Sequence, residues 1–274
     1  MAARNGGLPK RYASLFGCRL QINRADDFTP GGRMNSTSEV PTAKDRPNIR
    51  VGIFKRFIQI SVIFVFQAAI LFSTSGQLDW LWAWVFLGIS IVSVIVNSVI
   101  LLRTSPETIA ERGEAKLTKK WDKIVSGFYG LFLFLLLPLV AGLDTRFGWT
   151  GELGNTWHIV GAVALAAGLS LAGWAMIVNA YFSTTVRIQS DRGQTVCRSG
   201  PYRVVRHPGY VGFILQSLAT PILLGSVYAV FLGVMAATAL VIRTFFEDRT
   251  LQDELPGYRE YAQEVRHRLV PQVW

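Results

Sequence analysis

The chain is 274 residues long, half of them hydrophobic, with a formal net charge of +10 at neutral pH and a positive mean hydropathy. That is too apolar for an ordinary soluble domain of this length and places the chain among membrane proteins, with no nucleic-acid partner expected. Its two cysteines, Cys18 and Cys197, stand far apart with no C-x-x-C pair or Cys/His cluster beside them, which argues against a disulfide framework and a structural zinc site, so no metal is expected.

Residues 1–50 differ from the rest. Gly6-Gly7, Pro30-Gly31-Gly32 and Ser36-Thr37-Ser38 recur with scattered charge and no sustained hydrophobic period, a composition that predicts disorder. The apolar patch around Leu15 and Phe16 is too short for a secretory core. Residues 51–274 are expected to form one transmembrane domain.

A helix crossing about 30 Å of hydrocarbon needs about 20 mostly apolar residues. Six stretches approach that: Phe57–Ser75, Leu78–Leu102, Ile124–Leu143, Trp157–Tyr181, Tyr210–Leu224 and Ser226–Phe246. The fifth is short, carries Pro221 near its end and is separated from the sixth by Gly225 alone, so the pair is expected to form a tight helical hairpin. The fold class is therefore all-α, a polytopic bundle of about six spans with helices after the last one.

Loop charge orients the bundle. The connection from Arg103 to Lys123 holds six Lys/Arg and that from Phe182 to Gly209 holds five, whereas Gly76–Asp79 holds none and Asp144–Thr156 only Arg146. Basic loops stay cytoplasmic, which puts both termini and both basic connections in the cytoplasm. Trp80, Trp82, Trp84, Trp149 and Trp157 fall where indoles anchor to headgroups. After Thr184 the residues alternate, the pattern of a short extended piece, and Asp191-Arg192-Gly193 reads as a turn.

The densest polar sequence is Gly200-Pro201-Tyr202-Arg203-Val204-Val205-Arg206-His207-Pro208-Gly209-Tyr210, directly before an apolar run. His207 precedes a proline, which disfavours helix for it and projects it from a loop. Glu247 and Asp248 end the last span, an expensive place for acids unless they serve function. Arg243 lies one helical turn before Glu247, so an i, i+4 ion pair is the simplest expectation. Beyond Leu251 a helical stripe formed by Leu255, Tyr258, Tyr261, Ala262, Val265 and Leu269, with Pro256 placed to start a helix, predicts an amphipathic helix.

Together with Tyr258-x-x-Tyr261-x-x-x-Val265-x-x-Arg268-x-x-Pro271, these motifs resemble the isoprenylcysteine carboxyl methyltransferase family of integral-membrane enzymes over about residues 103–271. Pro106-Glu107-x-x-Ala110-Glu111-Arg112-Gly113 and Lys119-Lys120-Trp121-Asp122-Lys123 resemble its bacterial members, with no specific chemistry attached. The resemblance implies S-adenosylmethionine as methyl donor and a lipophilic or lipidated acceptor, such as the carboxylate of an isoprenylated cysteine. It implies a donor pocket lined by Gly200, Pro201, Tyr202, Arg206, His207, Pro208, Tyr210, Glu247 and Asp248, with Tyr258, Tyr261 and Arg268 as its cover. Asp248 stands where a second Glu is usual. Arg206, Arg243 and Glu247 are the candidate catalytic residues, Arg206 holding a carboxylate, Glu247 an ammonium and Arg243 the acceptor.

The residues themselves leave other readings open. A phospholipid N-methyltransferase, an NADPH-dependent membrane reductase and a non-enzymatic scaffold or small transporter all remain. No G-x-G-x-x-G follows a predicted strand and no C-a-a-X ends the chain, so neither a soluble dinucleotide fold nor prenylation of this chain is supported.

Overall fold

The computed structural model describes residues 49–113 and 119–274. The expected disordered segment up to residue 48 therefore lies outside the described residues, as does Lys116 of the first basic connection. Helix α1 runs Ile49–Ser75, α2 Leu81–Thr104, α3 Pro106–Gly113, α4 Lys120–Gly130, α5 Leu137–Phe147, α6 Asn155–Val178, α7 Pro208–Leu224, α8 Val227–Glu254 and α9 Tyr258–Glu264. No strand occurs among the described residues. The piece after Thr184 is irregular, and Asp191-Arg192-Gly193 falls in a 3₁₀ turn, Ser190–Arg192, closed by Gly193 in the left-handed region at φ 62°.

Five helical rods are long and apolar enough to cross a membrane: α1, α2, the continuous Lys120–Phe147, α6 and α8. That is the architecture of a multi-pass integral membrane protein. The expected count of about six reduces to five by length, because α7 has only 17 residues. It folds back onto α8 through Gly225, whose φ of 78° suits a residue without Cβ. Ser226 then caps α8, its hydroxyl accepting from Ala229 N–H at 3.1 Å.

The third rod is not uniform. Between α4 and α5, Leu131–Leu136 forms a π-helical turn in which Leu137 N–H donates to Phe132 O, five residues back. Pro138, in the first turn of α5, has no N–H to continue the ordinary ladder. Helix α1 starts eight residues before its apolar run, because its first turns pack on α3. A Cβ on Gly113 would lie 2.1 Å from Gly52 O, and one on Gly52 would lie 2.9 Å from Ala110.

Lipid is as apolar as leucine, so these helices gain association energy by close packing at small residues. A Cβ on Gly212 of α7 would sit 2.5 Å from Gly168 O of α6, and one on Gly233 of α8 would sit 2.4 Å from Ser217 O of α7. Leu71, Phe86, Leu133, Leu137, Leu165 and Leu223 fill the centre, while Phe57, Val65, Val92, Val163 and Phe231 are exposed around the outside. One end of the bundle is tied by Asp144, which accepts from Thr150 N–H at 2.7 Å, and by His158, stacked on Trp82 at 4.5 Å. At the other end the two basic connections meet the end of α8: Thr108 Oγ1 donates to Ala180 O at 2.9 Å, Arg187 pairs with Glu111 at 2.6 Å and Lys119 pairs with Glu254.

Candidate active site

The organising atom group at that end is the Asp248 carboxylate, fully buried on α8. Arg206 grips it with a two-pronged fork, Nε to Oδ1 at 2.8 Å and Nη2 to Oδ2 at 3.0 Å. Arg268 donates to Oδ2 at 2.8 Å, Gln252 to Oδ2 at 2.8 Å and the Tyr258 hydroxyl to Oδ1 at 3.0 Å. His207 Nε2 lies 3.3 Å from Oδ1. Burial, reinforced by the adjacent Asp248 charge, pushes the Tyr258 hydroxyl well above its ordinary range, which keeps it protonated as a donor.

This cluster pins the C-terminal segment. Arg206 Nη1 donates to the carbonyls of Val265 at 2.8 Å and Arg266 at 2.9 Å. The backbone N–H groups of Arg206 and His207 donate to His267 O and Arg268 O at 2.9 and 3.0 Å. The expected amphipathic helix beyond Leu251 is consequently two pieces: α8 continues to Glu254, and α9 holds only seven residues after Gly257 turns the chain at φ 79°. Ring packing completes the tail, with Arg268 4.9 Å from the Trp274 ring.

In front of the cluster lies a polar chamber of about 100 Å³ lined by Tyr202, Arg206, His207, Tyr210, Glu247, Tyr258 and Tyr261 together with the 181–197 segment. Glu247 is half-buried and accepts from the Tyr210 hydroxyl. The Tyr210 ring stacks on His207 at 5.8 Å. Asn179, where α6 ends, orders the chamber wall: its Oδ1 accepts from Tyr181 N–H at 3.0 Å and its Nδ2 donates to the Tyr202 hydroxyl at 3.3 Å.

A second cavity of about 390 Å³ runs into the bundle between apolar walls that include Ile60, Phe86, Leu169 and Met176. Phe182, Ser183 and Tyr210 line both spaces, so the chamber and the cavity share a wall. At their junction stands Arg243. It pairs with Asp122 of α4 at 2.8 Å and donates to Thr184 O at 2.8 Å, and its guanidinium lies 5.5 Å from the Tyr210 ring. The i, i+4 pairing with Glu247 does not form; Asp122, buried across the helix interface, is the better-placed partner. Asp122 also accepts from Val186 N–H at 2.9 Å, which couples α4, α8 and the chamber's loop.

The family-model comparison matches residues 159–254 to the isoprenylcysteine carboxyl methyltransferase (ICMT) family. In the matched segment lie most of α6, the chamber loop, α7 and all of α8; α3, α9 and the tail fall outside it. Protein-S-isoprenylcysteine O-methyltransferase B of Arabidopsis thaliana is 26% identical over 171 residues, covering 57% of this chain and 80% of the relative. A probable protein-S-isoprenylcysteine O-methyltransferase of Oryza sativa subsp. indica is 29% identical over 128 residues, covering 43% of this chain and 64% of that protein, less than two thirds of its length. YpbQ of Bacillus subtilis is 23% identical over 171 residues, covering 58% of this chain and 96% of YpbQ.

The expected site residues divide into four groups. Tyr202, Arg206, His207, Tyr210 and Glu247 line the chamber, joined from outside the segment by Tyr258 and Tyr261. Gly200, Pro201 and Pro208 shape its backbone, Gly200 at φ 57° and Pro208 at the first turn of α7. Asp248 and Arg268 lie behind the chamber as clamp residues, and Arg243 faces the apolar cavity. Arg206 differs from expectation, since four of its five N–H donors are taken by Asp248 and backbone carbonyls; its role is to hold the wall and the tail together. The sequence reading missed Asp122 and Arg112. Their motifs were visible, but only folding brings them to the cavity.

Proposed function

We propose that this chain is a membrane methyltransferase that uses S-adenosylmethionine to methylate the carboxylate of an isoprenylated cysteine or a closely similar lipophilic acid. The observation that carries the reading is the pair of spaces with opposite polarity sharing Phe182, Ser183 and Tyr210, with arginine at their junction. The polar chamber takes the donor and the apolar cavity takes the acceptor's hydrocarbon tail. The basic connections at this end support a cytoplasmic side for it.

The chamber's residues suit the donor. The Glu247 carboxylate complements an ammonium, the aromatic rings of Tyr202, Tyr210 and Tyr261 offer flat surfaces and a tolerant environment for a sulfonium, and His207 offers a ring nitrogen. Its volume is below the roughly 300 Å³ of a small-molecule site, so binding requires the 183–196 segment over it to yield. When bound, S-adenosylmethionine supplies a methyl on positive sulfur, which a carboxylate oxygen takes with release of a neutral thioether and no proton transfer.

The protein's task is accordingly placement. A carboxylate is already ionised at neutral pH and needs no general base. Arg243 orients the acceptor oxygen, while Tyr210, held by Glu247, fixes the boundary across which acceptor oxygen and methyl carbon meet at about 3 Å. The arginines that line the cavity, Arg56, Arg112 and Arg243, together attract an anionic acceptor and repel the ammonium of an ethanolamine lipid.

Purified protein given methyl-labelled S-adenosylmethionine is expected to label N-acetyl-S-farnesylcysteine, with the label released as methanol by mild base, as a carboxyl ester requires. Base-stable label on phosphatidylethanolamine in place of it would make the protein an N-methyltransferase and overturn the acceptor assignment.

A further inference from the structure

Arg112, the penultimate residue of α3, lines the apolar cavity, and its Nη1 is buried with no hydrogen-bond partner among the described residues. Its guanidinium lies 5.3 Å from the Phe182 ring, and Phe182 belongs to the wall shared with the polar chamber. The other arginines facing this region each have a hydrogen-bond partner. Arg243 is neutralised by Asp122, Arg206 by Asp248 and Arg187 by Glu111 and Asp191, while Arg56, which also lines the cavity, donates to Gln59 at 3.3 Å.

A buried cationic donor without a counterion is costly, and native proteins rarely keep one without a reason. Burial together with the charges of Arg56 and Arg243 pushes Arg112 down to about 9, in keeping with a charge that its surroundings compensate poorly. The fold nevertheless fixes it there. Gly113 is pressed onto Gly52 O of α1, Thr108 is bonded to Ala180 O and Glu111 is held by Arg187, so α3 has no freedom to turn its arginine outward.

We infer that Arg112 is the anion clamp of the apolar cavity: it binds the carboxylate of an amphiphile whose hydrocarbon tail occupies the space between Ile60, Phe86, Leu169 and Met176, and it sets the preference for acids over neutral analogues. This rests on the proposed reading of that cavity as the acceptor site. A carboxylate supplies both the missing charge and the missing acceptor atoms, and hydrophobic walls of this extent match a prenyl or acyl chain. Arg243, already satisfied by Asp122, orients the bound headgroup without supplying the net charge that attracts it.

The test compares the binding of two acid and amide pairs to full-length purified protein at fixed detergent concentration: N-acetyl-S-farnesylcysteine with its carboxamide, and oleate with oleamide. The parent is expected to prefer each acid over its amide by about tenfold or more, the range for a hydrogen bond to a charged group. Arg112→Gln is expected to erase that preference while leaving amide binding unchanged, and Arg112→Lys to keep part of it. A parent without preference in either pair, or an Arg112→Gln protein that keeps it, overturns the assignment. Preference for oleate with none for the farnesylcysteine acid leaves the clamp standing and removes the isoprenylcysteine acceptor. Arg112→Met separates a clamp from a structural role: without ligand it is expected to melt at or above the parent's temperature, and a large drop would make Arg112 structural and overturn the inference.

Discussion

In an Asp248→Asn protein the chamber comes apart: the melting temperature in detergent drops steeply, and the chain beyond Leu255 becomes open to protease. The substitution is nearly isosteric, so the effect is electrostatic. Asp248 is the common counterion of Arg206 and Arg268, and a neutral amide leaves both without compensation, Arg206 in a buried position. Breaking such a pair from one side costs about 3–5 kcal/mol. The amide also replaces one carboxylate oxygen by an N–H₂, so either the Tyr258 or the Gln252 bond loses its acceptor. Because Arg206 carries the Val265 and Arg266 carbonyls as well, the tail is released with the clamp. Unchanged melting and an unchanged digestion pattern would mean that Asp248 does not hold the tail.

Glu247→Gln, one residue earlier, is expected to do the reverse. Glu247 is half-buried in the chamber wall, and among the described residues its one bond partner is the Tyr210 hydroxyl, which can donate equally to an amide oxygen. Melting should barely move. The chamber instead loses its negative charge, and with it about tenfold to a hundredfold of affinity for a ligand bearing an ammonium, with methyl transfer falling at least as far. Calorimetric titration with S-adenosylmethionine measures this directly. Binding equal to the parent's would remove Glu247 from the donor site. The contrast between two adjacent acids arises from their direction: α8 turns Asp248 into a network that satisfies it and Glu247 toward open space.

Much of the bundle was legible because a membrane span must be a long apolar run, and a chain either has such runs or lacks them. The short hairpin arm was visible too, since Pro221 and Gly225 limit the length of the helix that begins near Tyr210. The π-turn before Pro138 was not, because one missing N–H leaves no pattern in hydropathy. The early start of α1 was hidden by Arg50, Lys55 and Arg56, charges that read as a flank until α3 is seen packed beside them. At the site, the loop of Tyr202, Arg206 and His207 could be found by its polar density, but the function of each member could not. Whether Arg206 faces a ligand or a carboxylate 42 residues away depends on how the tail folds back, which local sequence does not encode. Arg112 was illegible for a deeper reason: its Nη1 has no hydrogen-bond partner among the described residues, and only packing reveals that.

On the proposed reading, the Glu247 chamber receives a cationic sulfonium donor beside a lipid cavity. Titration of the detergent-purified chain, at constant ionic strength, with S-adenosylmethionine, its demethylated product and NADPH tests it most directly. Saturable binding of the first two, with no heat from the third, is the predicted result. Saturable binding of NADPH with none of S-adenosylmethionine would contradict the account and make the protein a membrane reductase.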